Sequence, residues 1–148
     1  MKDLAPIGTI VLAVLLSACS GVKPRLTAGR VPDVIDEKPD NRKYYETIGI
    51  GASDPVLATE TQRRSLARDA AIVKAQYELL SMIKGVELVG GYKISKAISV
   101  DSSLETRVKN SIRGAEVLKS EFTTDGGCVV TLRLPKDRLA AETGLALR

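Results

Sequence analysis

From Pro55 to Lys84 the chain is built of helix formers with no interior Gly or Pro, and Gly85 stands where a left-handed cap would close a helix. Asp54 is the expected N-cap, with Pro55 at the first helical position. At helical spacing Leu66, Ala70, Val73, Tyr77 and Leu80 form one apolar face, while Ala67, Ala71, Ala75, Leu79 and Ile83 form a second stripe at steps of four. A surface helix needs only one such face. The second stripe therefore has three expected fates: a second layer of the same domain, a neighbouring subunit, or simple exposure of small alanines. On the subunit reading, Ala71, Ala75, Leu79 and Ile83 are the candidate oligomer interface.

Around this helix the pattern changes to strand-like alternation. Lys43 to Gly51 combines aromatic and β-branched residues and ends in glycine, which predicts a first strand running into a turn. Gly49-Ile50-Gly51 lacks the third glycine of a dinucleotide loop and is assigned to close packing and the turn. After Gly85 the even positions Val86, Leu88, Tyr92, Ile94, Ile98 and Val100 are apolar, predicting a long half-buried strand with a bend at Gly90-Gly91. Residues 103–112 fit either a short helix or another strand. Ala115 to Thr124 and Cys128 to Leu134 read as a β-hairpin turned by Asp125-Gly126-Gly127, and Lys136 to Leu147 as a peripheral helix or tail. The expected fold is α+β: one long helix on a three- to four-stranded, mostly antiparallel sheet, in a β-α-β-β-β-like order.

The amino-terminal part divides differently. Lys2 precedes an apolar run from Ile7 to Leu16 that is shorter than the roughly 20 residues needed to span a bilayer. Such a run ending in small residues reads as a cleaved signal peptide. Leu16-Ser17-Ala18-Cys19 resembles the lipobox of bacterial lipoproteins. That resemblance implies cleavage before Cys19, acylation of Cys19 and, since Ser20 follows, an address on the periplasmic side of the outer membrane. The alternatives are an ordinary signal peptide with a cysteine at its cleavage site, or a soluble protein with an apolar start. Ser20 to Arg42 carries Pro24, Pro32 and Pro39 without an apolar period and reads as an extended tether. The expected divisions are thus a signal peptide at 1–18, a lipidated tether at 19–42 and a single domain at 43–148.

Composition narrows the chemistry. Aromatic residues make up 3% of the 148 residues and tryptophan is absent, so the core has to be built from aliphatic side chains. The formal charge of +4 is spread along the chain without a basic run interleaved with aromatics, which argues against a nucleic-acid partner. The sequence has no histidine, the commonest general base and metal ligand. Asp69 and Glu78 fit a solvated helix, Ser53 and Ser65 have no visible base, and Arg63, Arg64 and Arg68 form the densest basic cluster on a helix face. Cys128, left alone if Cys19 is acylated, alternates with Val130 and Leu132 and reads as a small buried hydrophobe. The chain is therefore read as a non-enzyme without cofactor or metal.

Several stretches together carry a family resemblance: Gly49-Ile-Gly51 before an alanine-rich helix, the four-residue spacing of Ala67, Ala71 and Ala75, Lys84-Gly85-Val86, Ile112-Arg-Gly114-Ala-Glu-Val117, Asp125-Gly126, and Val129-Val-Thr-Leu-Arg-Leu-Pro135. From about Tyr44 to Leu139 this pattern resembles the LPP-type outer-membrane lipoproteins and the related flagellar assembly lipoprotein family, FlgP. The resemblance implies a small α+β domain anchored by lipid to the outer membrane. In the flagellar branch it implies a homo-oligomeric ring or disk around the motor, required for motility. The alternative expectation is a monomeric envelope lipoprotein that binds a small ligand or protein.

Overall fold

The structure, a computed structural model, describes residues 22–33, 35 and 40–147. Within them the chain is α+β. Strand β1 (Tyr44–Gly51) is followed by helices α1 (Glu60–Gly85), α2 (Ile94–Val100) and α3 (Ser102–Arg113), then strands β2 (Glu116–Phe122) and β3 (Cys128–Pro135), and helix α4 (Lys136–Thr143). The sheet is antiparallel with order β1-β3-β2, so β3 lies in the centre.

Helix α1 begins later than its sequence suggests. Thr59, not Asp54, is the N-cap: its hydroxyl accepts from the Gln62 amide while the Gln62 side chain accepts from the Thr59 amide. This reciprocal capping box satisfies two orphan donors where a lone Asp-Pro pair satisfies fewer. Asp54 instead accepts from Val56 N–H at 2.9 Å in the preceding turn. The helix closes at Val86, with Gly85 as its last helical residue.

The two apolar stripes of α1 take opposite places. Ala67, Ala71, Ala75, Leu79 and Ile83 are fully buried against the sheet, whereas Leu66, Val73 and Tyr77 face solvent at 47%, 65% and 65% exposure. Gly49 and Gly51 supply the reason. A β-carbon at Gly49 would strike the Ala71 carbonyl oxygen and the Ala75 amide nitrogen; one at Gly51 would strike the Ala67 carbonyl and the Ala71 amide. The helix backbone therefore lies directly on strand β1, a separation that only alanines on one side and glycines on the other permit. Thr47 fastens the contact by donating its hydroxyl to the Ala75 carbonyl at 3.0 Å.

Two clusters make up the core. Under the first half of α1, Ala67, Ala71 and Ala75 meet Cys128, Val130 and Leu132. Toward its end the layer widens: Leu79, Ile83 and Tyr45 join Ile94, Leu104, Val108, Ile112, Leu134 and Leu139. Each fully buried aliphatic side chain of this kind contributes about 2 kcal/mol.

Helices α2, α3 and α4 supply the second cluster, and here three expectations change. The long strand expected over 86–100 does not form. Gly90 and Gly91, at φ 112° and 81°, turn the chain, isolated bridges join Glu87 to Lys93 and Leu88 to Leu147, and Ile94–Val100 becomes helix α2. Ile94 and Ile98 are four apart, a step that fits both periods, and Ala97 adds the helical step of three, so the stretch was equally a helical face. The open choice at 103–112 resolves as helix, capped by Asp101, which accepts from Ser103 N–H at 2.9 Å. Helix α4 is not peripheral, because Leu139 is completely buried in the core.

Within the stretch expected to be an extended tether, Arg25 contacts strands β1 and β2 and Gly29 contacts the turn after β2.

Candidate functional site

Cys19, the expected acylation point, lies outside the described residues. What is described begins just after it. The Arg25 guanidinium bonds the Glu46 carboxylate on β1 at 2.7 Å, and the Arg25 amide donates to Glu121 on β2 at 2.8 Å. Because β3 runs between these strands, Arg25 straddles the centre of the sheet. A tight turn at Ala28-Gly29, both in the left-handed region, then lets the Gly29 carbonyl accept from Thr124 N–H at 2.9 Å.

Glu46 also receives Arg133 at 2.9 Å, so one carboxylate holds two guanidiniums. Arg133 in turn lies over the Tyr44 ring, 3.9 Å from its centre. The Glu46 and Arg25 side chains are 12% and 11% exposed, a degree of shielding that makes the attraction stronger than that of a surface pair. Beneath this strap Val129 and Thr131, which point away from α1, are 1% exposed.

The other surface of interest is the outer side of α1. Ala71, Ala75, Leu79 and Ile83 offer no area to a second molecule, since the sheet of the same chain covers them. The apolar area available on this helix is instead Leu66, Ala70, Val73 and Tyr77. Lys74 lies beside them, paired with Glu78 at 2.6 Å and set over the Tyr77 ring at 5.5 Å.

The basic cluster of α1 is occupied within the chain. Arg63 donates to the Leu57 carbonyl at 3.2 Å, Arg64 pairs with Glu60 at 2.5 Å and covers the Phe122 ring, and Arg68 reaches the Ser120 hydroxyl at 3.3 Å.

Catalytic features are weak in the described region. No group of three or more Cys, Asp or Glu side chains is placed to hold a metal among the described residues. The carboxyls with shifted ionisation all move downward: Glu142 beside Ser111 and Arg138, Asp101 beside Ser103, Asp125 beside Thr123, and Glu105 beside Lys109. That direction holds a carboxylate charged, the reverse of what a general acid needs. Cys128 is buried on the α1 face of β3 as its alternation predicts, and burial pushes its thiol upward, away from the reactive thiolate.

Several grooves among the described residues are large enough for a small ligand. One, of about 530 Å³, lies between the free edge of β1 and α1, lined by Ile48, Ile50, Met82, Lys74 and Glu78. Another, of about 590 Å³, lies at the start of α4 between Arg42, Lys43, Tyr44, Arg133 and Lys136, with Glu116 and Asp137 among its walls. Among the described residues no helix is long and apolar enough to cross a membrane.

The Arg25–Glu46–Arg133 clasp had no legible signal in the sequence: an arginine in a proline-containing stretch and a glutamate in a strand carry no mark of their meeting. No family model, no curated protein and no solved structure matches the chain.

Proposed function

We propose that the chain is a lipid-anchored envelope scaffold, attached through Cys19 on the periplasmic side of the outer membrane and working by self-association rather than catalysis. The observation that carries this reading is the exposed Leu66-Val73-Tyr77 stripe on a helix whose opposite side is already the core. Apolar area left over after a domain has filled its own interior marks a surface for another molecule. The lipobox-like Leu16-Ser17-Ala18-Cys19 supports the anchor, and two acyl chains suffice for stable attachment. By the resemblance to flagellar assembly lipoproteins, the specific form of the scaffold is a ring or disk around the flagellar motor.

Radiolabelled palmitate incorporation tests the anchor: label is lost in Cys19→Ser, and label unchanged by the substitution refutes it. Sedimentation of the full chain in detergent tests self-association, with a monomer at high concentration counting against it. A non-swimming deletion strain would support the motor-associated form. The groove beside β1 supports a second reading, a monomeric module that holds a small apolar ligand against Ile48, Ile50 and Met82.

A further inference from the structure

Along α1 the positions Leu66, Ala70, Val73, Tyr77 and Leu80 follow one another at steps of four, three, four and three; the first four are exposed, and Leu80 is half-buried against the core. That alternation is the seven-residue repeat of a two-helix seam, with Leu66, Val73 and Leu80 at d positions and Ala70 and Tyr77 at a positions. The preceding a position is Arg63, so the exposed seam runs from Leu66 to Tyr77, 12 residues or about 18 Å of helix, between a charge and the half-buried Leu80. The buried stripe at steps of four drifts around the helix and does not make such a seam.

The flanks carry a second, independent feature. Asp69 occupies the g position before Ala70, and Lys74 the e position after Val73. In a parallel pair of helices a g residue meets the e residue five places further along the partner. Asp69 would therefore meet Lys74 of a second copy, and the two-fold symmetry makes that contact twice. Of the neighbouring pairs, Gln76 with Ser81 is neutral, and Gln62 would meet Ala67, which is buried under the sheet. In an antiparallel pair g faces g and e faces e. Asp69 would then lie beside Gln76, and Lys74 beside Ala67, so neither charge meets an opposite one.

From this we propose that a second copy of the chain docks on the outer face of α1 in parallel, with Ala70, Val73 and Tyr77 packed against their own counterparts and Asp69 paired with Lys74 across the seam. The proposal deepens the scaffold reading and rests on it for the identity of the partner. In the single chain Lys74 makes an exposed pair with Glu78 and lies over the Tyr77 ring, contacts of small value that exchange readily. A parallel pair also sends both amino-terminal segments to the same end, as two molecules on one membrane require. A seam of two heptads is weak in dilute solution; confinement of both copies to one surface raises their effective concentration.

Cysteine cross-linking of the full chain in its native membranes tests this. Val73→Cys and Ala70→Cys each form a self-cross-linked dimer under mild oxidation, while Ser65→Cys, off the seam, does not. Asp69→Lys lowers the Val73→Cys yield roughly fivefold through two like-charge contacts, and adding Lys74→Asp restores it. Absence of self-cross-linking at 70 and 73 in folded protein overturns the proposal. So does cross-linking that appears only when Leu66→Cys and Tyr77→Cys chains are mixed, since that is the antiparallel register. Fractionation of the same samples reads the anchor separately: dimer found outside the membrane leaves the seam standing and removes the lipid attachment. Circular dichroism of each variant verifies that the helix is intact.

Discussion

Arg25 and Glu46 are 21 residues apart in the chain, yet the guanidinium and the carboxylate meet at 2.7 Å on the sheet face that α1 does not cover. The second Glu46 oxygen is taken by Arg133 on the neighbouring strand. One acidic side chain therefore ties an amino-terminal segment, an edge strand and the central strand together.

Replacing Glu46 by Gln keeps the shape and removes the charge that both guanidiniums share. The expected result is a loss of about 2 kcal/mol in unfolding free energy, because one side of a shielded charge network has been deleted. The strap should also loosen. Limited trypsin digestion should cut at Arg25 or Arg30 faster than in the parent, and an unchanged cleavage rate would show that Glu46 does not hold the segment.

The glycine-alanine contact predicts asymmetric tolerance around α1. Gly49→Ala and Gly51→Ala should each destabilise by about 3 kcal/mol or more, since the added methyl meets backbone that has little freedom to move. Val73→Ser, on the outer face, should stay within about 0.5 kcal/mol in the monomer. Urea unfolding of the three variants distinguishes these outcomes.

Tyr45 predicts an alkaline transition. Its hydroxyl is buried without a hydrogen-bond partner, and burial, followed by the charge of Asp40, pushes its ionisation up to about 12 from 10.0. The folded state thus favours the neutral phenol. This contribution is fully present below pH 10 and disappears as pH rises from 10 to 12, as the unfolded chain ionises first. Tyr45→Phe should remove that component of the pH dependence. At pH 7 it should match or exceed the parent in stability, because an unsatisfied polar atom has been taken out of the core. A parent-minus-variant difference that is flat between pH 9 and 12 would contradict this account.

Cys128 should be silent toward thiol reagents in the native protein. Its side chain is completely buried and its ionisation is pushed upward chiefly by that burial. Labelling with a maleimide at pH 7 should be at least tenfold faster in denaturant than in buffer. Equal rates would place the thiol at the surface.

Much of the fold was legible where pattern and local chemistry agree. Strand β1, the hairpin turned at Asp125-Gly126-Gly127 and the inward position of Cys128 all follow from alternation bounded by turn residues. The long helix was legible too, but not its orientation. Periodicity finds a stripe without saying which stripe faces in, and hydrophobicity favoured Leu66, Val73 and Tyr77. The choice was made by Gly49 and Gly51 on another element, whose missing β-carbons reward alanine over larger side chains. The stretch from Val86 to Val100 failed for a different reason. Its apolar residues satisfy two periods at once, and the positive φ angles of Gly90 and Gly91 divide it before a strand can extend. Contacts such as Arg25 with Glu46 arise only when distant segments are brought together.

The docked strap also fixes how long a leash the domain has. If Cys19 carries the lipid, only five residues lie between it and Arg25, where the chain is already clamped to the sheet. At most about 20 Å of extended backbone fits in that interval. The domain is then moored against the bilayer with its strapped side near the anchor, rather than reaching deep into the surrounding space.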